Sequence, residues 1–265
     1  MKETPEQTKK PIEMQGVSVA AVHEPDFVVL KDVNWTVGTG DFWVVGAPQH
    51  SGKSDFLMTA AGLVPLVAGS YKFYGNPTRI FDESRLADRL RMGFVFDHSQ
   101  LFHYLTVAEN VALPLSYHQN LGENDAMAAI DELLTVTQLK PVAEVRPPDL
   151  AQSWHKRAGL ARALVLRPDI LLADNPLGAL DARHSFWWRS FLEELSSGHA
   201  WLREKPVTIV VTTDDFRPWR GDRPKFALLK DHTFVPLGSW KQVQSSDEPL
   251  VKELLAAPME AGQLT

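Results

Sequence analysis

The residues with the clearest chemical potential form a short run that ends in a glycine, a lysine and a serine. The run reads Ala47-Pro48-Gln49-His50-Ser51-Gly52-Lys53-Ser54. In such runs backbone N–H groups and a helix N-terminus face phosphate oxygens, the lysine supplies a positive charge, and the serine hydroxyl ligates Mg²⁺. The spacing therefore predicts a phosphate-binding loop that continues into Asp55, although Ala47 and His50 stand where such loops usually have glycine.

A second chemical signal is an apolar run that ends in a carboxylate. Residues 170–173 read as a buried strand, and Asp174 follows them directly. A carboxylate at this place lies beside the Mg²⁺ and the water of a phosphate-binding loop. The loop and the carboxylate, in this order, predict nucleotide binding with Ser54 and Asp174 as metal ligands.

The elements that position these residues alternate between short strands and helical segments. Strands are predicted at 17–22, 28–30, 42–45, 94–96, 170–173 and 208–212, with a helix over 55–66. This alternation favours an α/β fold in which crossover helices connect parallel strands. Residues 107–139 have a helical period without strand runs and indicate a helical insert. Residues 1–16 are charged, contain two prolines, and indicate a mobile tail.

The composition excludes several classes of protein. Of the 265 residues, 44% are apolar and 23% charged, which is typical of folded globular domains rather than disordered or coiled-coil chains. The absence of cysteine excludes a disulfide framework and a cysteine zinc site. A net charge of −6 argues against a nucleic-acid partner, because such proteins usually carry basic excess. The longest apolar-rich stretch, 57–67, is too short to span a membrane, so we expect a soluble chain.

The residues around Asp174 identify a family. Their order is Leu160-Ala161-Arg162-Ala163-Leu164, Arg167-Pro168-Asp169, Pro176 and Ala179-Leu180-Asp181. Together with the segment 101–111 they resemble the nucleotide-binding (ATPase) subunit of ABC transporters, from residue 17 to about 255. The resemblance implies a P-loop NTPase (RecA-like) parallel sheet core with N-terminal antiparallel strands and a helical subdomain.

That resemblance also implies the domain boundaries. A tail over 1–16 precedes a nucleotide-binding domain over 17–240, whose helical insert covers about 98–160, and a C-terminal helical extension covers 241–265. Two segments, 110–115 and 247–255, are similar to the ATPase subunit of Mla-type (Mce-linked) phospholipid transporters. They imply lipid transport and a Mce-domain lipid-binding protein as a partner. The alternative interpretation is that Pro114 kinks a helix and the last helix covers the core.

This sequence departs from the family at positions that act in hydrolysis. Asn175 stands where the family has the glutamate that polarises the attacking water, and a neutral amide cannot accept a proton from water. Thr213 replaces the histidine that contacts the γ-phosphate. Asp97 replaces the glutamine that touches Mg²⁺ and senses the membrane subunit, and its carboxylate could still ligate the metal.

The signature motif, through which one subunit contacts the ATP of its dimer partner, is altered as well. The family has Leu-Ser-Gly-Gly-Gln, and this chain has Leu150-Ala151-Gln152-Ser153-Trp154. The family's glycines bring backbone N–H groups close to phosphate, and its serine donates a hydroxyl. The D-loop that the resemblance implies is Ala179-Leu180-Asp181.

These features predict an ATP-binding subunit, with ATP and Mg²⁺ as cofactors, in which hydrolysis is weak or absent. The implied partners are an integral membrane permease and a second nucleotide-binding subunit, identical or paralogous. The implied location is cytoplasmic, on the inner face of the cell membrane. Two alternatives stay open: an active ATPase in which Asp97 or Asp214 is the base, and a soluble regulatory or scaffold cassette.

Overall fold

A computed structural model describes residues 10–78 and 83–256, apart from the side chain of Glu83. Within these residues the strands are β1 (Ile12–Ala21), β2 (Glu24–Val37), β3 (Phe42–Gly46), β4 (Ala68–Phe73), β5 (Asn76–Pro77), β6 (Met92–Val95), β7 (Ile170–Ala173), β8 (Thr208–Thr213), β9 (Lys225–Lys230) and β10 (Thr233–Gly238). The helices are α1 (Lys53–Ala60), α2 (Leu86–Arg89), α3 (Val107–Gln119), α4 (Glu123–Val136), α5 (Gln152–Leu164), α6 (Ala182–Ser197), α7 (Trp240–Gln244) and α8 (Pro249–Leu255).

The strands form two sheets. One has the order β10-β9-β3-β8-β7-β6, and its strands are parallel except for β10 at the edge. The other is antiparallel, with the order β2-β1-β4-β5. Helices α3, α4 and α5 lie between β6 and β7 in the chain. The predicted α/β architecture, with N-terminal antiparallel strands and a helical insert, is confirmed.

Apolar layers on both faces of the parallel sheet hold the fold together. One layer lies between the two sheets and includes α1, where Trp35 packs against Trp43, Phe56 and Phe234 with ring centroids 5.2–5.8 Å apart. The other joins the parallel sheet to the helices of the insert and to α6 and α8. Because the sheet is covered on both faces, β7 is buried at every residue, and its sequence is accordingly apolar throughout.

Several element boundaries differ from the predicted ones. Strand β1 begins at Ile12, so the predicted tail over 1–16 is too long, because Ile12 and Met14 pack in the core. Helix α1 ends at Ala60 because Gly62 adopts a left-handed φ of 66°. Asn120, with a φ of 53°, ends α3 and divides the predicted helical insert into separate helices.

The C-terminal extension predicted for 241–265 contains α7 and α8, and α7 begins one residue earlier, at Trp240. Residues 1–9 and 257–265 lie outside the described part of the chain, so the ends of the predicted tail and extension do too. Among the described helices, none is long and apolar enough to cross a membrane.

One buried amide holds the loop before α3. Asn110 is fully buried; its Oδ1 accepts from Phe102 N at 2.8 Å, and its Nδ2 donates to the carbonyls of Phe102, Leu105 and Thr106 at 2.9–3.2 Å. Asn110→Leu is expected to lower the free energy of unfolding by about 2 kcal/mol or more, because Phe102 N and Leu105 O lose their bonds to the amide, while the carbonyls of Phe102 and Thr106 keep only their backbone donors. Urea unfolding measures this, with Gln119→Leu, an exposed position of the same helix, as the control. Equal midpoints for Asn110→Leu and the wild type would contradict the role given to the amide.

Candidate nucleotide-binding site

The carboxyl ends of the parallel strands bring the predicted loops together at one edge of the sheet. Gly46 of β3 is in register with Thr213 of β8, and Ala47 N donates to Thr213 O at 3.0 Å. Asp174 N, directly after β7, donates to Val95 O of β6 at 2.8 Å. In open α/β sheets this edge is where ligands bind.

The predicted phosphate-binding loop connects β3 to α1 and turns through left-handed backbone. His50 has a φ of 58° and Gly52 a φ of 85°, so His50 adopts a conformation that glycine adopts more readily. Gly46 has a different reason to be glycine, because a Cβ there would collide with Phe216 and Leu254. The loop therefore turns through left-handed backbone at Gly52 and at His50, where such loops usually have a second glycine.

The lysine of the loop is buried and held by the loop itself. Lys53 is 8% exposed, and its Nζ donates to Ala47 O at 2.8 Å and Pro48 O at 2.6 Å. Burial lowers the pKa of Lys53, and the nearby carboxylates of Asp214, Asp174 and Asp97 oppose this shift. An ammonium has three N–H donors, so one remains for a phosphate oxygen.

The predicted metal ligands Ser54 and Asp174 lie together. Ser54 Oγ donates to Asp174 Oδ2 at 2.5 Å, and Thr212 Oγ1 donates to Asp174 Oδ1 at 2.6 Å. Asp174 is 5% exposed and the donor set consists of oxygens, which are the ligands that Mg²⁺ prefers. Ser54 and Asp174 would hold the ion.

Asp97, the third predicted ligand, forms an ion pair with a lysine and makes no hydrogen bond to Ser54 or Asp174. Its Oδ1 accepts from Lys156 Nζ at 2.9 Å. This ion pair connects the loop after β6, which carries Asp97, to α5, which carries Lys156. In residues 10–78 and 83–256, no group of three or more His, Cys, Asp or Glu residues could hold a metal ion. The structure thus joins Ser54 to Asp174 and pairs Asp97 with a lysine.

The two residues at the predicted hydrolytic positions make local contacts. Asn175 has a φ of 43°, and its N–H donates to Thr212 Oγ1 at 3.0 Å. The Thr213 hydroxyl donates to Asp215 O at 2.9 Å and accepts from Asp215 N at 3.1 Å, so it closes a turn. Neither side chain is a carboxylate that could accept a proton from water, and neither is a cation that could contact a phosphate.

The predicted signature residues stand at the start of α5. Ala151 is the N-cap and provides no side-chain hydrogen bond, while Leu150 packs against the core. The Trp154 ring lies 5.1 Å from the Arg157 guanidinium and 6.4 Å from the His184 ring of α6. This packing fixes a bulky side chain at the last of the five predicted signature positions, where the resemblance implies a glutamine.

The predicted D-loop residue Asp181 starts the next helix. It is the N-cap of α6, where its Oδ1 accepts from His184 N at 2.8 Å. The hydrogen bonds from His184 lower the pKa of Asp181. Ala179, just before it, has a left-handed φ of 57°, and Leu180 is partly buried against the core.

These loops enclose a cleft of about 860 Å³. Of the predicted site residues, the lining includes Pro48, Gln49, Asp97, Gln152, Asn175, Ala179, Leu180 and Thr213. Helix α8 contributes Glu253 and Leu254 to the wall. The cleft therefore borders residues from all the predicted loops. Its lining does not include Lys53, Ser54 and Asp174, nor Ser153 and Trp154.

Two residues that this arrangement uses were not predicted from the sequence. Lys156 precedes Leu160 and Leu164 by one and two helical turns, so a lysine on the apolar stripe of α5 was the available signal. No sequence pattern singled out Thr212, because every residue of β8 is buried, so an alternation of polar and apolar residues does not distinguish one face of the strand.

Comparison with known proteins agrees with this geometry. The family model described as "ABC transporter" matches residues 30–178. The sulfate/thiosulfate import ATP-binding protein CysA of Synechococcus elongatus is 37% identical over 202 residues, which are 76% of this chain and 56% of that protein. The aliphatic sulfonates import ATP-binding protein SsuB of Bacillus licheniformis is 35% identical over 71% of this chain and 67% of its own length. The chain thus spans from about half to two thirds of these relatives.

A solved structure is similar over a larger share of its length. The dimeric structure of a post-hydrolysis state of the ATP-binding cassette MJ0796, bound to ADP and Pi, has a TM-score of 0.73 and 28% sequence identity. The match covers 84% of this chain and 95% of that one. The sequence match, the shared fold and the geometry of Lys53, Ser54 and Asp174 lead to one conclusion: the chain belongs to the ABC transporter family, as a nucleotide-binding domain.

Proposed function

We propose that this chain is the nucleotide-binding subunit of an ABC transporter that binds Mg-ATP and hydrolyses it slowly or not at all. The observation that carries this proposal is a split between two sets of groups at the same edge of the parallel sheet. The groups for binding are present and assembled, since Lys53, Ser54 and Asp174 lie at one edge of the sheet. The groups for hydrolysis are replaced, because the side chains of Asn175 and Thr213 are neutral and the Thr213 hydroxyl is held in a turn with Asp215.

The proposed assembly includes a second cassette and a membrane permease. MJ0796 is dimeric, and the two relatives are named as import ATP-binding proteins. Because these relatives are import ATP-binding proteins, we place the subunit beside its permease on the cytoplasmic face of the membrane. ATP and Mg²⁺ are its proposed ligands.

An apolar groove between the helical insert and the parallel sheet suits the permease. It has a volume of about 540 Å³ and is lined by residues that include Phe94, Phe96, Leu113 and Pro114. Three aromatic side chains near it are exposed: Phe102 by 44%, Tyr104 by 68% and Tyr117 by 81%. Exposed apolar patches of this kind mark protein interaction surfaces.

A photocrosslinker at Tyr104 is expected to capture an integral membrane protein when the chain is isolated from native membranes. The matched control is the same crosslinker at Glu132, which is exposed on α4 and does not line the groove. Capture of soluble proteins only at both positions would favour the scaffold alternative.

The phospholipid prediction has no support from the two relatives, whose names refer to sulfate, thiosulfate and sulfonates. The segments on which it rested have structural roles here. Pro114 lies within α3, and α8 buries Val251 and Leu254 in the core. We therefore assign neither a cargo nor a Mce-domain partner.

An active ATPase with an unusual base is the second candidate function. Asp214 favours it, because this carboxylate lines the cleft and its charge acts on Lys53. Asp97, the other candidate base, is paired with Lys156. Phosphate release by the wild-type protein separates the two candidates, since the low-turnover proposal requires it to stay far below an ordinary enzymatic rate of about 1 s⁻¹.

A further inference from the structure

A buried lysine joins the helical insert to the loops of the cleft. Lys156 of α5 has a side chain that is 3% exposed. Its Nζ donates to Asp97 Oδ1 at 2.9 Å and to the backbone oxygen of Asn175 at 2.7 Å. One ammonium thus contacts the loop after β6 and the loop after β7.

The cleft beside the predicted phosphate-binding loop contains several carboxylates. Asp97 and Asp214 line it, and together with Asp174 they act electrostatically on Lys53. Nucleotide phosphates are anionic, so each carboxylate without a neutralising partner disfavours their binding. Among the residues that the structure describes, Lys156 is the cation that pairs with Asp97.

We propose that Lys156 is a positioning residue for nucleotide binding, which neutralises Asp97 beside the phosphates and holds the Asn175 loop through its carbonyl. This inference rests on the proposed binding of Mg-ATP. It identifies Asp97 as one half of a charge pair rather than as a metal ligand.

The two partners differ in exposure, and this difference makes the pair testable. The Asp97 side chain is 35% exposed and that of Lys156 is 3% exposed. In Lys156→Met the remaining carboxylate can be solvated from the cleft, so we expect the fold to persist. In Asp97→Asn the remaining ammonium stays buried without its charge partner, so we expect a clear loss of thermal stability.

The experiment is a calorimetric titration of the full chain with Mg-ATP at two salt concentrations. Lys156→Met is expected to weaken binding about tenfold at low salt, because an unpaired carboxylate then faces the phosphates. The loss is expected to shrink as salt increases, which loss of packing alone would not produce. The double variant Lys156→Met/Asp97→Asn is expected to regain affinity to within about threefold of the wild type.

The matched control is Lys140→Met, which removes a lysine from the exposed pair with Asp131. It is expected to leave affinity unchanged. If Lys156→Met melts far below the wild type, Lys156→Gln, which keeps a donor for the Asn175 carbonyl, is measured in its place with the same expectation.

Affinity of Lys156→Met within about twofold of the wild type would overturn the inference. A double variant as weak as the single one would do so too. Absence of Mg-ATP binding by the wild-type protein is a different result, since it would overturn the proposed function itself.

Discussion

Replacement of Lys53 by alanine is expected to lower the affinity for Mg-ATP by about 100-fold, or about 2.7 kcal/mol. The variant removes the buried ammonium that stands at the phosphate-binding loop, 2.8 Å from Ala47 O and 2.6 Å from Pro48 O. It also removes the Lys53 donor from both carbonyls, although Pro48 O still accepts from Ser51 Oγ, and this adds a loss of loop geometry to the loss of charge. Titration calorimetry with Mg-ATP measures the difference.

Lys140→Ala is the matched control for this variant, because Lys140 lies in an exposed pair outside the cleft. It is expected to bind as the wild type does. Equal affinities of Lys53→Ala and the wild type would show that nucleotide does not use this loop. Even the wild-type affinity is expected to be modest, since Ala47 and His50 restrict a loop that usually contains more glycine.

Asn175→Glu is expected to leave ATP turnover at background, although it introduces the carboxylate that the family uses. The other groups would still be missing, because Thr213 closes a turn with Asp215 and the signature carries Trp154 packed beside Arg157. Groups that act together in catalysis have strongly non-additive effects, so one restored member recovers little. Phosphate release by Asn175→Glu, with Asn175→Gln as the matched neutral control, measures this.

A rise of about 100-fold or more in Asn175→Glu alone, which is the scale of one positioned group, would contradict this expectation. It would show that the missing base was the single defect. Pairing with a competent second cassette does not remove the difficulty, because the signature motif of one subunit is expected to contact the ATP of the other, so each site would take one half from this chain.

The sequence predicted the parts of the site that follow from local pattern. The loop ending in Gly52-Lys53-Ser54 and the apolar run before Asp174 each lie within one short segment, and the structure brings Ser54 and Asp174 together. Parallel strands and crossover helices followed from the alternation of short apolar runs and helical segments. The family order around Asp174 then supplied the topology.

The parts that the sequence did not predict depend on contacts between distant segments. Strand β9 inserts beside β3, and no local signal specifies that neighbour. Its hairpin with β10 turns through Asp231 and His232, both with positive φ, where a glycine would have marked the turn. The Asp97–Lys156 pair likewise forms only when the helical insert packs on the sheet.

The most direct measurement is steady-state phosphate release by the purified wild-type protein with Mg-ATP, with Lys53→Ala as the control for contaminating activity. Release at the level of Lys53→Ala, from a protein that binds Mg-ATP in the calorimeter, is the result expected for a cassette that keeps binding and lacks hydrolysis. Turnover of about 1 s⁻¹ or faster, an ordinary enzymatic rate, that disappears in Lys53→Ala would contradict it and support an active ATPase with Asp214 as the candidate base.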